Sequence, residues 1–339
     1  MKRLSIVVPC YNEEEVLPEC IRRLVELIED LVRQGMICAD SHAIFVDDGS
    51  RDKTWSIIDA AAKLQKHVRG LKLSRNRGHQ NALLAGLFHA DGDAVVSVDA
   101  DLQDDLDAIG KMTDAYLHGM DIVYGVRRRR DADSFFKRFT AEGYYRILDR
   151  LGVEIVFNHA DYRLLSRRAI TALGEFGESN FFLRGIIPQL GFPSATVYYD
   201  RTERFAGESK YPLRKMLAFA WEGITSFSAV PLRVITALGF LISAGTFVVS
   251  LWALWVKLFT ANAVPGWTSV VLPVYLLGGV QLLSLGVIGE YVAKVYMETK
   301  RRPRYFIEAA AGGPQETPSA YLTVEGGQRA SVSEREAQH

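Results

Sequence analysis

The chain has 339 residues, room for one large domain or a domain with an appendage, and its 48% hydrophobic and 24% charged residues match an ordinary globular average. The net charge of zero hides a segregation: 234–256 and 270–289 carry no charged residue at all. Three cysteines, Cys10, Cys20 and Cys38, form no C-x-x-C pair and have no histidine at ligand spacing, and so odd and sparse a set argues against a disulfide framework and suits a reducing compartment.

Met1–Cys10 runs straight into a strand-like segment, and 12–15 is acidic where a signal peptide would be apolar. The N-terminal half is therefore expected to stay in the cytoplasm. Leu4–Pro9 reads as a strand. Leu17, Ile21, Leu24, Val25, Ile28, Leu31 and Val32 recur at helical spacing, which predicts an amphipathic helix over 16–34. Ala43–Asp47 reads as a second strand, 52–66 as a second helix and Gly70–Ser74 as a third strand. A third helix over 78–90 and a fourth strand, Ala94–Val98, follow. Near-continuous apolar strands alternating with helices predict an α/β fold with a mostly parallel sheet covered on both faces. Ligands of such sheets sit beyond the carboxyl ends of the strands. That rule singles out Pro9–Glu13, Asp47–Ser50 and Asp99–Asp104.

Ser134–Leu151 interleaves aromatic residues with Lys137, Arg138, Arg146 and Arg150, and Leu213–Phe227 does so with Arg214 and Lys215. Such stretches suit a membrane surface; packing on the sheet or on another subunit is the alternative. Val234–Val256 and Thr268–Gly289 are uncharged runs of 23 and 22 residues, and about 20 apolar residues suffice to cross a bilayer core. Trp252, Trp255 and Trp267 lie near the turn between them, as an aromatic belt would. Arg233 precedes the first run, Lys294, Lys300, Arg301, Arg302 and Arg304 follow the second, and the turn has only Lys257. The positive-inside bias puts both flanks in the cytoplasm. Residues after about 307 read as a disordered tail.

Asp99-Ala100-Asp101 follows the fourth strand, and two carboxylates at i and i+2 there can converge on one divalent ion. Hard oxygen ligands suit Mg²⁺ or Mn²⁺, which would also bridge a diphosphate. A turn or helix cap is the plainer reading of such acidic residues. Asp47-Asp48-Gly49-Ser50 ends the second strand in the same way, where a carboxylate can accept from a base N–H or a ribose hydroxyl. Tyr11 offers a face for base stacking and Glu13 an acceptor. Arg127–Arg130 is a run of four guanidinium groups suited to phosphate or to anionic headgroups.

The segments VVPCYNEEE, VDDGSRD, SRNRGHQNALLAGL, DADLQDD, YGVRRRR, NHADYRLLSR and RFAGESKYPL resemble, in this order, family 2 glycosyltransferases. More narrowly they resemble the polyprenyl-phosphate glycosyltransferases: dolichyl-phosphate mannose synthases and, above all, bacterial bactoprenol glucosyltransferases with two C-terminal spans. The resemblance covers about 4–306 and implies a GT-A nucleotide-binding domain over 1–212, including the amphipathic 134–151. It further implies a juxtamembrane interfacial helix over 213–231, transmembrane helices over 232–258 and 267–292, and a cytoplasmic basic segment and disordered tail over 293–339. By the same resemblance Pro9, Tyr11, Glu13, Val46 and Asp48 would hold the nucleotide, together with Asp99, Ala100 and Gln103. Asp99, Asp101 and Gln103 would hold the metal. Arg127, Arg138, Arg204 and Lys210 would bind donor or acceptor phosphate, and Asp161 would be the base or an acceptor-site carboxylate. His159-Ala160-Asp161-Tyr162 departs from relatives that have Gly before the Asp.

The implied reaction is an inverting transfer of a sugar from a nucleotide sugar, UDP-glucose or a similar UDP-hexose, to a polyprenyl phosphate such as undecaprenyl phosphate. The expected setting is the cytoplasmic face of the inner membrane, with both termini in the cytoplasm, a homo-oligomer as large as a tetramer and no nucleic-acid partner. A bound phosphate has its second pKa near 6, so the nucleophile needs no strong base. A processive polysaccharide synthase is opposed by the short chain, a flippase by so few spans, and an inactive scaffold by the intact acidic strand ends.

Overall fold

The computed structural model describes residues 1–128, 159–177, 183–200, 230–259, 266–300 and 302–312. The expected interfacial stretches 134–151 and 213–227, with Arg138, and the loop carrying Arg204 and Lys210 lie outside the described residues, as does the chain beyond 312.

Strands β1 (Leu4–Cys10), β2 (His42–Asp47), β3 (Val68–Leu73) and β4 (Ala94–Ser97) alternate with helices α1 (Leu17–Arg33), α2 (Thr54–Leu64) and α3 (His79–His89). Then come α4 (Ala108–Leu117), β5 (Ile122–Arg127), β6 (His159–Ser166), α5 (Arg167–Gly174), α6 (Leu183–Gln189) and β7 (Ser194–Tyr199). Two long helices, α7 (Val230–Phe259) and α8 (Trp267–Thr299), precede a last strand, β8 (Ile307–Ala311). Among the described residues the sheet order is β7-β5-β6-β4-β1-β2-β3-β8. Strand β1 pairs in parallel with β2 and β4, β2 with β3, and β5 with β7. Strand β6 runs antiparallel between β4 and β5, and β8 antiparallel along β3. This is a GT-A-like α/β fold with a mostly parallel sheet.

Every residue of β1 is buried, as a central strand covered on both faces must be. On one face α1 lays down Leu17, Cys20, Ile21, Leu24, Ile28 and Leu31, a stripe at three- and four-residue spacing. Pro18 stands in the first turn, where its missing N–H has no partner to lose. On the other face α3 crosses so closely that a Cβ at Gly86 would meet Val7 Cγ1 at 2.2 Å. Only glycine permits that approach, and it lets α3 sit tightly over the carboxyl half of β1 and β2.

The segment expected as the start of a disordered tail is instead partly an edge strand. Gly70 pairs with Ala311, Leu71 with Ala310 and Lys72 with Ala309. Lys72 Nζ meets Glu308 Oε1 at 2.6 Å, and Ser74 N–H donates to Phe306 O at 3.0 Å. Tyr305 packs edge-on to His89, with ring centroids 6.1 Å apart. An uncovered β3 would present a row of unpaired backbone groups, so pairing it answers a need of the sheet. The alanine-rich stretch carries no local strand signal; the partner decides its conformation.

The chain divides into two compact units, one holding the sheet and the other the two long helices. Helix α7 spans 30 residues and α8 33. Among the described residues no helix is long and apolar enough to cross a membrane. Phe240, Leu241, Trp252, Trp255 and Phe259 on α7 and Val270, Val274, Leu282 and Leu285 on α8 are exposed.

Ending the chain after Arg304 removes β8 and the Tyr305 ring. Relative to a chain ended after Gly312, the unfolding midpoint of the sheet unit is expected to fall by about 5 °C or more, read by near-UV circular dichroism. Coincident midpoints would mean that β8 contributes nothing to the sheet.

Candidate active site

Strands β1, β2 and β4 run the same way, so their carboxyl ends open at one edge. The register pairs Cys10 with Asp47 and Val7 with Ser97, which sets the loops after the three strands side by side. The first two loops are laced together. Asn12 N–H donates to Ser50 Oγ at 2.9 Å, Arg51 N–H to Asn12 Oδ1 at 2.9 Å, and Glu13 N–H to Thr54 Oγ1 at 2.9 Å. Asn12 sits at φ 56°, a left-handed conformation that asparagine tolerates better than most residues. Tyr11 emerges from this brace 43% exposed, as a base-stacking surface should, and Glu13 is half-buried beside it.

Other residues of the expected nucleotide set lie deeper. Pro9 is buried within β1, Ala100 is in the core, and Val46 is fully buried with Cγ2 beneath Gly86. These side chains shape the floor of the site. Asp48 is 2% exposed. Its Oδ1 accepts from Arg77 N–H at 2.7 Å and its Oδ2 from Gly78 N–H at 2.8 Å. In this structure the carboxylate thus organises the turn into α3 rather than facing outward. Gly78, at φ 88°, supplies the backbone shape that turn requires.

The turn delivers His79 to the site. Its Nε2 lies 3.6 Å from Asp99 Oδ1 and 3.7 Å from Asp161 Oδ2, so one ring stands between two carboxylates from different strands. Asp161 comes from β6, which pairs with β4 at Ser97↔Arg163. Ser97 Oγ donates to the backbone carbonyl of Asp161 and holds it there. Arg163 Nη2 bonds Asp161 Oδ1, and Arg184 adds Nε to Oδ1 at 3.3 Å and Nη2 to Oδ2 at 3.2 Å. Burial pushes the Asp161 carboxyl up, but the Arg163 and Arg184 charges outweigh it and hold the group well below the usual carboxylate range. Asp161 is therefore a firmly ionised, weakly basic carboxylate.

Asp99 differs. Burial raises its pKa, His79 opposes that, and the charges of Asp104, Asp161 and Asp101 add to the rise, which reaches about 6. Asp101 is half-buried, and its Oδ1 accepts from Gln103 N–H at 3.2 Å around Leu102, which sits at φ 55°. Gln103 itself is 6% exposed. On the far side Tyr199 OH donates to Asp104 Oδ1 at 2.6 Å, and Arg127 reaches Tyr199 OH with Nε at 3.2 Å and Asp104 with Nη2 at 3.5 Å. Arg127 is thereby fixed beside the carboxylates.

Among the described residues no three His, Cys, Asp or Glu side chains converge to hold a metal by themselves. Two adjacent carboxylates, one of them charged with difficulty, still suit a divalent ion that completes its shell with water and substrate phosphate, as Mg²⁺ commonly does. Asp99 and Asp101 fit that description; the buried Gln103 adds its backbone to the turn.

The edge therefore gathers Tyr11, Glu13, Asp99, Asp101, Arg127 and Asp161 as expected from sequence. Asp104, in the strand end that sequence singled out, joins them, and so do His79, Arg163, Arg184 and Tyr199, which sequence reasoning did not place in the site. Asp161 and Arg163 stand at i and i+2 on a strand, a spacing that puts both on one face and was readable. Arg184 lies on a short helix with no local signal.

The sequence matches the model of Glycosyl transferase family 2 over residues 5–174. The chain belongs to that family. A glycosyltransferase of Bacillus subtilis (strain 168), YkoT, described as uncharacterized, is 49% identical over 317 residues, covering 93% of this chain and 94% of that protein. A bactoprenol glucosyl transferase of Shigella phage SfX is 39% identical over 308 residues, covering 91% of this chain and 99% of that protein. Among solved structures, a mannosyltransferase from Pyrobaculum calidifontis in complex with GDP-Man and Mn²⁺ is 19% identical, with a TM-score of 0.42, covering 87% of this chain and 85% of that one.

The raised pKa of Asp99 fixes the sign of a pH effect in this glycosyltransferase. The folded state holds that proton more tightly than the unfolded chain, so Asp99 favours folding below its ordinary 3.8 and the contribution is lost as pH rises through about 6. Its side chain is 39% exposed, so screening limits the effect to about 1 kcal/mol. Without added divalent ion, Asp99→Asn is expected to raise the thermal midpoint at pH 7.5 and leave it unchanged at pH 4. An equal rise at both pH values would assign the gain to packing instead of charge.

Proposed function

We propose that this glycosyltransferase transfers a hexose from a UDP-sugar to the phosphate of a polyprenyl phosphate at the cytoplasmic face of a membrane, with inversion. The observation that carries the reading is the opposed pair of carboxylates at the strand edge. Asp99 is poised to gain from a cation, while Asp161 is held ionised by arginines. A relative named for bactoprenol glucosyl transfer, alike over nine-tenths of this chain, supports the acceptor. The uncharged runs 234–256 and 268–289, with cationic residues at their outer flanks, support a membrane anchor. A UDP-sugar donor is the reading the family resemblance favours.

Tyr11 would stack on the base and Glu13 would accept from it or from the ribose. A Mg²⁺ or Mn²⁺ ion held by Asp99 and Asp101 would supply charge neutralisation to the diphosphate leaving group. Arg127, braced by Tyr199 and Asp104, would bind a phosphate oxygen beside the carboxylates. The acceptor phosphate is already largely ionised at neutral pH, so its oxygen can attack the anomeric carbon while the nucleotide departs from the opposite face. Asp161 is then not asked to remove a proton. Its firm ionisation suits it to orient neighbouring cations and the acceptor. Arg204 and Lys210, outside the described residues, would clamp the phosphates, with the stretch 207–210 as a lid.

The test is transfer by the purified full-length protein in detergent, with short-chain polyprenyl phosphate, Mn²⁺ and a panel of radiolabelled nucleotide sugars. Label should enter the organic phase from one UDP-hexose. Asp101→Asn should lower that rate by about a hundredfold or more, the scale of losing one charge-stabilising group. Transfer only to a water-soluble acceptor, or undiminished transfer by the variant, would reject the reading.

A further inference from the structure

The turn into α3 is held by two distant parts of the chain. The first is the loop after β2. A Cβ at Gly49, which sits at φ 67°, would meet Arg75 C and Asn76 N at 2.6 Å, so the backbone of 75–76 lies directly on that loop. The Asp48 carboxylate accepts from Arg77 N–H at 2.7 Å and from Gly78 N–H at 2.8 Å. The second is Phe306, in the segment between α8 and β8. Its carbonyl accepts from Ser74 N–H at 3.0 Å, and its ring centroid lies 6.0 Å from Arg77 Cζ.

Phe306 is itself fixed from both ends. Before it, Arg304 Nη2 donates to Phe176 O at 2.9 Å and Tyr305 packs edge-on to His89; after it, Ile307 pairs with Leu73. The phenylalanine is 40% exposed, so it adds less to the core than a buried one would. What it offers Arg77 is an aromatic face, at the outer reach of a cation–π contact. Arg77 Nε is buried with no hydrogen-bond partner among the described residues, and a guanidinium so placed gains from that face. The turn matters for what it presents. Its end carries His79, 3.6 Å from Asp99 Oδ1 and 3.7 Å from Asp161 Oδ2, and Asp48 lies in the loop that Asn12 braces beside Tyr11.

We propose that Phe306 is a positioning residue for the donor nucleotide: from the C-terminal segment it seats Arg77 and so holds the turn that Asp48 gathers and that presents His79. The proposal rests on the nucleotide sugar proposed above. Phe306 touches no substrate and acts through Arg77. With the ring in place the turn is ordered before the nucleotide arrives. Without it the turn samples other conformations, and binding has to select the competent one, which lowers the apparent affinity by the fraction lost. The acceptor phosphate does not meet this turn in the proposed arrangement, so its binding is spared.

Calorimetric titration of UDP with Mn²⁺ into the full-length protein, with steady-state kinetics and the unfolding midpoint alongside, tests this. Phe306→Ala is expected to weaken UDP by about three- to fivefold, the scale of one exposed cation–π contact, and to raise the nucleotide-sugar KM in step. The KM for polyprenyl phosphate should stay within about twofold of wild type on the same scale. Phe306→Tyr keeps the ring and should bind UDP as wild type does, whereas Phe306→Leu should resemble the alanine variant. In an Arg77→Gln background Phe306→Ala should cost no further affinity, because the two act as one unit. A lower unfolding midpoint with unchanged UDP affinity would make Phe306 a packing residue only and overturn the proposal. So would a full loss on top of Arg77→Gln, or a rise confined to the acceptor KM. Wild-type protein that binds no UDP would reject the donor reading itself, an outcome distinct from a variant that binds as wild type does.

Discussion

The parallel ladder that pairs Cys10 with Asp47 and Val7 with Ser97 sends the loops after three strands to one edge. β2 ends on Asp47, those loops carry Asp48, Asp99, Asp101 and Asp104, and β6 adds Asp161 from the antiparallel side. So many carboxylates in a partly buried space repel one another, and the fold has to answer each. Asp48 is answered by backbone N–H groups of the turn into α3, Asp104 by Tyr199 and Arg127, and Asp161 by Arg163 and Arg184. Asp99 has only His79 drawn up to it among the described ion pairs, and burial with the neighbouring carboxylates raises its pKa to about 6. The compensation is uneven, and that unevenness gives the site its chemistry.

The same arrangement separates two roles that a motif reading merges. Asp161 occupies the position where a base would be sought, yet its guanidinium partners depress its proton affinity. A weakly basic carboxylate suits a reaction whose nucleophile arrives ionised. Asp99, reluctant to be charged, suits a place where positive charge is brought in with the substrate. Neither assignment follows from the identity of the residue; both follow from its neighbours.

Much of the sheet was legible because central parallel strands are apolar on both faces and their helices carry periodic stripes. Leu17 to Leu31 marks α1 without ambiguity, and the structure trims the expected 16–34 only to Leu17–Arg33. The acidic strand ends were equally plain. Illegible were the elements whose conformation a distant partner decides. Ile307–Ala311 has no strand signal until β3 offers its edge. Arg184 gains meaning only from Asp161, which lies 23 positions away in the chain. Val46 and Asp48 show a different limit, since a motif names residues without saying which side chains face the backbone or the core. One is packed under Gly86 and the other is occupied by the turn into α3.

The proposed role of a cation at Asp99 and Asp101 is that the carboxylates at this edge would repel a diphosphate unless positive charge offsets them. Calorimetric titration of UDP into the full-length protein, with Mn²⁺ and then with the ion chelated, addresses it directly. The account expects affinity to fall at least tenfold on chelation, about 1.4 kcal/mol or more, and to return when Mn²⁺ is restored. Equal affinity in both conditions would contradict it, because the arginines and His79 alone would then be sufficient to offset the carboxylates.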